Sequence, residues 1–274
     1  MLNPIEGEIF CVDKPLKWTS FEVVRKIRAR LKTKLGMKSL RVGHAGTLDP
    51  LATGVLIVCT GRKTKLVEQL QSGVKEYIAT LQLGATTPSF DLETQIDATF
   101  PWQHIDSALI DRILKEQFTG TIEQIPPSFS ACKVDGKPAY KLARKGKDVE
   151  IRLKTLVIDE IEVMQCLLPE QPVLTLRVVC SKGTYIRALA RDIGVALGSG
   201  SHLTALRRTR VGDINVDNCE TVQQLLDRLD NEEYVMPDQA EQQRLEQERI
   251  ANKARAAQLK ALKNAKKART PQIT

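Results

Sequence analysis

Short runs of apolar residues, either alternating with polar ones or continuous, divide the chain into predicted β-strands. They lie at residues 8–13, 55–59, 75–84, 155–166 and 172–180. In the run at 75–84, the alternation places Tyr77 on the same face as Ala79 and Leu81. The run at 55–59 is apolar throughout and is followed by Thr60 and Gly61, so we expect a fully buried strand there.

Apolar residues at helical spacing predict helices between these strands. They lie at residues 20–32, 63–71, 105–118 and 185–197. The first begins with the capping-box pattern T-x-x-E, formed by Thr19 and Glu22, and Phe21 starts its apolar side. Residues 33–46 contain three glycines among basic residues, which predicts a loop.

The order of these elements indicates the class of fold. Strands and helices are mixed rather than strictly alternating, and neighbouring strands can pair antiparallel, which is typical of α+β proteins. We therefore predict one α+β domain over residues 1–235. Beyond Gln239 the composition shifts to Ala, Gln, Lys and Arg without aromatic residues, which predicts a basic tail over residues 236–274, either helical or partly disordered.

Composition narrows the class of protein. The 274 residues are 42% hydrophobic and 27% charged, the balance of an ordinary globular protein, and no run approaches 18 apolar residues. The N-terminus lacks a basic segment followed by an apolar run, so no secretory signal is expected. Six scattered cysteines and three histidines show no zinc-ligand spacing. We expect a cytoplasmic protein with reduced thiols and without a zinc site.

The net charge of +8 is unevenly distributed along the chain. Residues 241–274 hold nine Lys/Arg and three Asp/Glu, and a second basic run extends from Arg25 to Arg41. Two basic segments on a nearly neutral body indicate a polyanionic partner such as a nucleic acid. The alternative is that they are solvated helix faces, and for the tail that alternative is at least as good.

The most unusual segment is RVGHAGTLDPLATG, from Arg41 to Gly54. A polar stretch punctuated by glycines leads directly into the apolar run at 55–59, and Asp49 precedes Pro50 within it. A single aspartate beside a core strand is a candidate catalytic carboxylate. The residues alone leave a second interpretation open, in which Asp49 only caps a turn, as most Asp-Pro pairs do.

This segment and several others resemble, in order, the signatures of the TruB family of tRNA pseudouridine synthases, which modify uridine 55 in the T-arm. GHAGTLDPLATGVL is similar to the family signature, and the resemblance spans about residues 8–212. The other matching runs are VDKP at 12–15, KEYIATLQLGATT at 75–87 with Asp91 after it, PPSFSACKVDGKPAYKLARKG at 126–146, CSKGTYIRALARDIG at 180–194 and HLTALRRTRVG at 202–212.

The resemblance implies a pseudouridine-synthase-type fold, a mixed and largely antiparallel sheet flanked by helices. It implies an isomerase that breaks the N1–C1′ bond of uridine 55 and rejoins the base through C5, without cofactor or metal. Asp49 would be the essential aspartate, and whether it attacks the ribose or removes a ribose proton stays open. Arg187 would pair with Asp49, and Tyr77 would stack on the base and help to remove the C5 proton.

The resemblance also implies residues that bind the substrate. His44 would insert into the RNA near the flipped base, Lys14 would lie near the active site, and Leu206 would pack against the uracil. An insert at about 126–150 would contact RNA. Candidates for phosphate contacts are, as one group, the basic residues from Arg25 to Arg41 and the lysines of the insert, Lys133, Lys137 and Lys141. Residues 213–274 do not resemble the PUA-type domain that many family members carry, so we expect the basic tail to supply part of that affinity electrostatically.

Three other functions remain open at this point. The chain could be an RNA-binding protein or tRNA-folding chaperone without catalysis, or a pseudouridine synthase that acts on another RNA. A DNA-binding protein ranks lower, since no helix-turn-helix spacing is present. The expected partner is the T-arm of tRNA, with no membrane, no obligate protein partner and a monomeric state.

Overall fold

The computed structural model describes residues 1–127, 130, 132–134, 137, 138 and 151–268. The β-strands are β1 (Ile9–Lys14), β2 (Val42–Ala45), β3 (Ala52–Thr60), β4 (Lys75–Leu83), β5 (Ala85–Thr86), β6 (Ala98–Thr99), β7 (Gly120–Gln124), β8 (Lys133–Val134), β9 (Lys137–Pro138), β10 (Lys154–Cys166), β11 (Val173–Cys180), β12 (Ser201–Val211), β13 (Ile214–Asn215) and β14 (Glu220–Thr221). The α-helices are α1 (Ser20–Lys34), α2 (Val67–Leu70), α3 (Ser107–Gln117), α4 (Ile186–Ala196), α5 (Val222–Asn231) and α6 (Gln239–Ala268). Two 3₁₀ turns cover Gly61–Leu66 and Val216–Asn218.

Ten of these strands form one sheet, which confirms the predicted α+β class. Its main path runs β14-β1-β3-β12-β4-β11-β10-β7, with β2 paired to β3 and β13 to β12. Only the β1–β14 and β3–β12 pairs are parallel in this sheet, and the others are antiparallel. The position of β12 matters for function, because this strand lies between β3 and β4 and brings their side chains together.

Two apolar clusters anchor the helices to the sheet. The first combines buried residues of β4, β10 and β11 with the apolar sides of α3 and α4. The second combines β1 and β3 with α1 and α5. Burial of these apolar faces, rather than helix propensity, is what stabilises such helices. The sheet is therefore a rigid support for the loops at its strand ends.

The patterns predicted several elements well. Thr19 and Glu22 form both hydrogen bonds of the capping box at the start of α1. On β4, Tyr77, Ala79 and Leu81 are all buried on one face, as the alternation predicts. The assignment of Phe21 to the apolar side of α1 was wrong, because the buried side is centred on Val23, Val24 and Ile27, and Phe21 is 61% exposed.

Other local predictions need correction. The predicted loop at 33–46 contains a strand, since Val42–Ala45 pairs with β3 and extends the sheet on that side. The predicted helix at 63–71 is a 3₁₀ turn followed by the single turn of α2. Strand β12 was missed because Arg207, Arg208 and Arg210 interrupt its apolar pattern, and only the tertiary structure supplies their partners.

The C-terminal tail begins as a helix that lies on the body of the protein. Leu245 of α6 packs against the second apolar cluster, and Arg41 forms an ion pair with Glu248 at 3.1 Å. Lys133 and Lys137 lie on the short β8–β9 hairpin, whose side chains are outside the described residues, as is the whole of Lys141. Within the described ranges, no helix is both long and apolar enough to span a bilayer.

Candidate active site

Asp49 lies in the turn that joins β2 to β3, and the turn is tied to the first helix. The Ser20 hydroxyl accepts a hydrogen bond from the Leu48 N–H at 2.9 Å and donates to the Leu48 carbonyl at 3.0 Å. Within the turn, the Ala52 N–H donates to the Asp49 carbonyl at 3.1 Å. Gly46 has a φ of +90°, a conformation that a residue with a side chain rarely adopts. These contacts hold the Asp49 side chain at the edge of a cleft.

The cleft has a volume of about 220 Å³ and contains an ion pair. The Arg187 Nε, which comes from the first turn of α4, lies 2.9 Å from the Asp49 Oδ2. The Arg187 side chain is 5% exposed, whereas that of Asp49 is 41% exposed and faces the opening. Arg187 also lies 3.6 Å from the Asp91 carboxylate and donates to the Ser89 carbonyl at 3.1 Å. One guanidinium therefore positions two carboxylates.

The electrostatics of Asp49 combine burial with this pairing. Desolvation raises the pKa of the Asp49 carboxyl above its usual value, Arg187 opposes the shift, and Asp91 adds to it. A carboxylate that is partly stripped of water but held ionised by a fixed guanidinium is a stronger base and nucleophile than a solvated one. This arrangement suits attack on, or proton removal from, a substrate at the cleft.

Tyr77 and Leu206 line the same cleft from two paired strands. Tyr77 of β4 is 9% exposed, and burial raises the pKa of its phenol. Leu206 of β12 pairs with Ala79 on one side and with Ala52 of β3 on the other. The structure thus brings Asp49, Arg187, Tyr77 and Leu206 together from four separate elements.

Lys14 and His44 do not line this cleft. Lys14 is fully buried, and its Nζ donates to the Pro15 carbonyl at 2.9 Å and to the Trp18 carbonyl at 2.6 Å, so it holds the turn before α1. Burial lowers the pKa of Lys14 to about 8. His44 is half-buried on β2, and burial together with Arg208 lowers the pKa of its imidazole. The substrate contacts of both residues stay predictions.

Sequence reasoning missed several polar residues of the cleft. Lys75, Lys182, Tyr185 and Arg208 all line it. A signal was present for two of them, because Lys75 shares a strand face with Tyr77 and Tyr185 stands two residues before Arg187. Nothing in the sequence indicated that Arg208 turns inward. Among the described residues, no group of three or more His, Cys, Asp or Glu is arranged to hold a metal.

Two family models cover most of the chain. The model of the TruB family pseudouridylate synthase N-terminal domain matches residues 32–186, and that of the tRNA pseudouridylate synthase B C-terminal domain matches residues 187–265. A tRNA pseudouridine synthase B from Phocaeicola vulgatus is 64% identical over 232 residues, which cover 85% of this chain and 97% of the relative. One from Parabacteroides distasonis is 61% identical, with 82% and 94% covered.

Two solved structures resemble this chain in fold and in sequence. A chain from a Cbf5-Nop10-Gar1 complex superimposes with a TM-score of 0.59 at 32% identity, covering 82% of this chain and 55% of that one. A chain from an H/ACA RNP bound to a substrate RNA containing 2′-deoxyuridine gives a TM-score of 0.57 at 31% identity, covering 82% and 54%. The present chain spans about half the length of both. The sheet, the cleft and these likenesses define a pseudouridine synthase. The chain belongs to the TruB family of pseudouridylate synthases.

Proposed function

We propose that this enzyme isomerises uridine 55 in the T-arm loop of tRNA, with Asp49 as the essential carboxylate. The observation that carries the proposal is the 2.9 Å ion pair between Asp49 and Arg187 in a cleft that also contains Tyr77 and Leu206. Relatives at 64% and 61% identity bear the name tRNA pseudouridine synthase B, which supports tRNA as the substrate.

The reaction is an isomerisation, so its bonds balance within the nucleoside. The N1–C1′ bond breaks, the base turns, C5 bonds to C1′, the C5 proton leaves and N1 gains a proton. The Asp49 carboxylate acts at the ribose, either at C1′ or on a ribose proton, while Arg187 holds it oriented. Leu206 packs against the uracil, and Tyr77 lies on the side from which the C5 proton is removed.

The target uridine must leave its loop to reach this cleft. Lys182 is exposed at the cleft and suits a phosphate beside an extruded nucleotide, while the buried Lys75 and Arg208 add positive charge to the lining. His44, on the strand that leads into the Asp49 turn, is the candidate to occupy the vacated stack. Such contacts fix the position of the RNA, and the fit of the base in the cleft selects the uridine.

A T-arm stem-loop tests the substrate. A transcript with tritium at C5 of its uridines should release tritium, and pseudouridine should map to position 55 alone. A matched transcript with cytidine at position 55 should release none. Release from the cytidine-55 transcript, or preferential release from a ribosomal RNA hairpin, would contradict the assignment of the site. Tight binding without release would favour the chaperone function instead.

The C-terminal helix is proposed to add electrostatic affinity for the RNA. Its first half is docked through Leu245 and Glu248, so the useful deletion begins after them, at Lys253. Residues 253–274 contain seven Lys/Arg and no Asp/Glu. Removing them should weaken tRNA binding mainly at low salt. The slope of log Kd against log salt should fall by about 0.7 to 0.9 for each phosphate that the tail no longer neutralises.

A full-length variant with those seven residues changed to glutamine is the matched control for this deletion. It should reproduce the weaker binding if charge is responsible. An unchanged Kd and salt slope in both proteins would show that the tail has another role.

We also infer that the enzyme works in the cytoplasm, where tRNA is found, and that it is a monomer. Gel filtration against standards checks the oligomeric state.

A further inference from the structure

Arg208 is a buried arginine that lies between the turn of Asp49 and the strand of Tyr77. It is 2% exposed, and its strand position lies opposite Tyr77 on β4 and opposite Gly54 on β3. Its Nε and Nη2 donate to the Val55 carbonyl at 2.8 and 2.7 Å, and Nη2 also donates to the Gly46 carbonyl at 3.2 Å. The side chain therefore extends from β12 beneath the turn that carries Asp49.

The glycines around the Asp49 turn match this arginine. A Cβ on Gly54 would lie 2.1 Å from the Arg208 carbonyl oxygen, and a Cβ on Gly46 would lie 3.4 Å from the Arg208 Nη1. Gly54 is thus required for the close approach of β3 and β12, whereas a Cβ on Gly46 would make an ordinary contact, and glycine is favoured there by its φ of +90°. Gly54 of the RVGHAGTLDPLATG segment is therefore explained by contact with a residue far away in the chain.

The charge of Arg208 acts on the groups around it. Arg208 and Tyr77 lie directly opposite each other on paired strands. The positive charge and N–H groups of Arg208 oppose burial, which is the larger effect and leaves the pKa of the phenol raised. Cys180 of the adjacent strand and Asp49 also face Tyr77 and act in the opposite direction. The same guanidinium disfavours protonation of the neighbouring cationic groups, which are Lys14, His44 and Lys75. Arg208 is therefore the principal group that favours negative charge at Tyr77.

We propose that Arg208 is a positioning residue that fixes the Asp49 turn and the Tyr77 hydroxyl in one arrangement, and that its charge favours the ionised form of Tyr77. This inference rests on the proposed function, in which Tyr77 removes the C5 proton. A phenolate oxygen accepts that proton, the electrons of the C5–H bond restore the C5–C6 double bond of the uracil, and the proton then passes to water. Arg208 stabilises the phenolate before the transfer and never contacts the base itself.

Ionisation of Tyr77 can be measured without any RNA. The chain has four tyrosines, so protein made with monofluorotyrosine, whose phenol ionises at lower pH, gives a ¹⁹F spectrum in which Tyr77→Phe identifies one resonance. Changing Arg208→Gln should raise the midpoint of that resonance by about one pH unit or more, because a neighbouring positive charge is removed. An unchanged midpoint in folded protein would overturn the proposal.

Arg207→Gln is the matched control, because Arg207 is the adjacent residue and forms an ion pair with Asp13 at 2.7 Å. Its Tyr77 midpoint should stay at the wild-type value, and an equal shift would overturn the specific role of Arg208. Folding is checked by the other tyrosine resonances. If Arg208→Gln does not fold, Arg208→Lys decides, since it keeps the charge but cannot reach both carbonyls. It should keep the Tyr77 midpoint within a few tenths of a unit and still slow tritium release at least tenfold.

The pH profile of tritium release separates positioning from mere loss of structure. In Arg208→Gln, the rate at neutral pH should fall and then partly recover as the pH rises, whereas damage to the fold alone would give a decrease independent of pH. Absence of that recovery would overturn the role of Arg208 in catalysis. If even the wild type fails to release tritium while the ¹⁹F shift is present, the proposed function fails and the Arg208–Tyr77 coupling stands.

Discussion

Asp49→Asn should abolish isomerisation while leaving tRNA binding close to that of the wild type. The substitution preserves the size and the turn but removes the charge and lone-pair basicity that act at the ribose. We expect tritium release to fall on the order of 10⁴-fold, as for other residues that act directly on the reacting atoms. Single-turnover release gives the rate, and filter binding of the same T-arm transcript gives the Kd.

Asp111→Asn is the matched control, because Asp111 is an exposed aspartate on α3. It should release tritium at the wild-type rate. Retention of more than a few per cent of activity in Asp49→Asn would exclude Asp49 as the essential carboxylate. A joint loss of activity and binding would instead indicate that the turn itself was disturbed.

The raised pKa of Asp49 gives this prediction a pH dependence. The acid side of the rate profile should fall at a pH above the usual range of an aspartate, since the proposed role of Asp49 needs the ionised carboxylate. Because the folded protein binds this proton more tightly than the unfolded chain, stability contributed by Asp49 is lost as the pH rises through the folded-state pKa. At pH 7, Asp49→Asn should therefore melt at or above the wild-type temperature. A clearly lower melting temperature would show that ionised Asp49 stabilises the fold at pH 7, and would contradict this prediction.

Arg187→Gln is expected to have the second large effect, because it should lower both the unfolding free energy and the rate of isomerisation. Removing the guanidinium leaves the Asp91 carboxylate, whose side chain is 8% exposed, without its ion-pair partner 3.6 Å away. Breaking a buried pair in this way costs about 3 kcal/mol of unfolding free energy. The rate should also fall by roughly 10² to 10³-fold, because Asp49 loses the group that orients it. Urea denaturation and tritium release measure the two effects.

Two further variants test this explanation. Arg191→Gln, one helical turn later on α4, removes an arginine paired with Asp192 and should lose much less stability. Combining Arg187→Gln with Asp91→Asn should restore part of the lost stability, because it removes the unpaired charge of Asp91. It should not restore activity, because Asp49 still lacks the arginine that orients it. Equal destabilisation by Arg191→Gln, or no recovery in the double variant, would contradict the role assigned to the pair.

The local elements that were predicted correctly depend on neighbours in the chain. The capping box at Thr19 and Glu22 needs contacts only three residues apart, and the alternation around Tyr77 follows from the two-residue repeat of a strand. The family signatures around Asp49 and Arg187 indicated the class of enzyme. These are all properties of short segments, so they can be identified from the sequence alone.

The assembly of the site depended on strand order instead, and hydrophobic pattern does not encode strand order. Tyr77 meets Arg208 because β12 pairs with β4, and Asp49 meets Arg187 because helix α4 brings the arginine to the turn between β2 and β3. The sequence by itself determined the elements with a regular local pattern, such as α1 and β4, the family, and the candidate residues within the family signatures. Tertiary structure alone decided that a charged residue such as Arg208 turns inward, because a buried guanidinium is tolerated only where distant backbone carbonyls satisfy it.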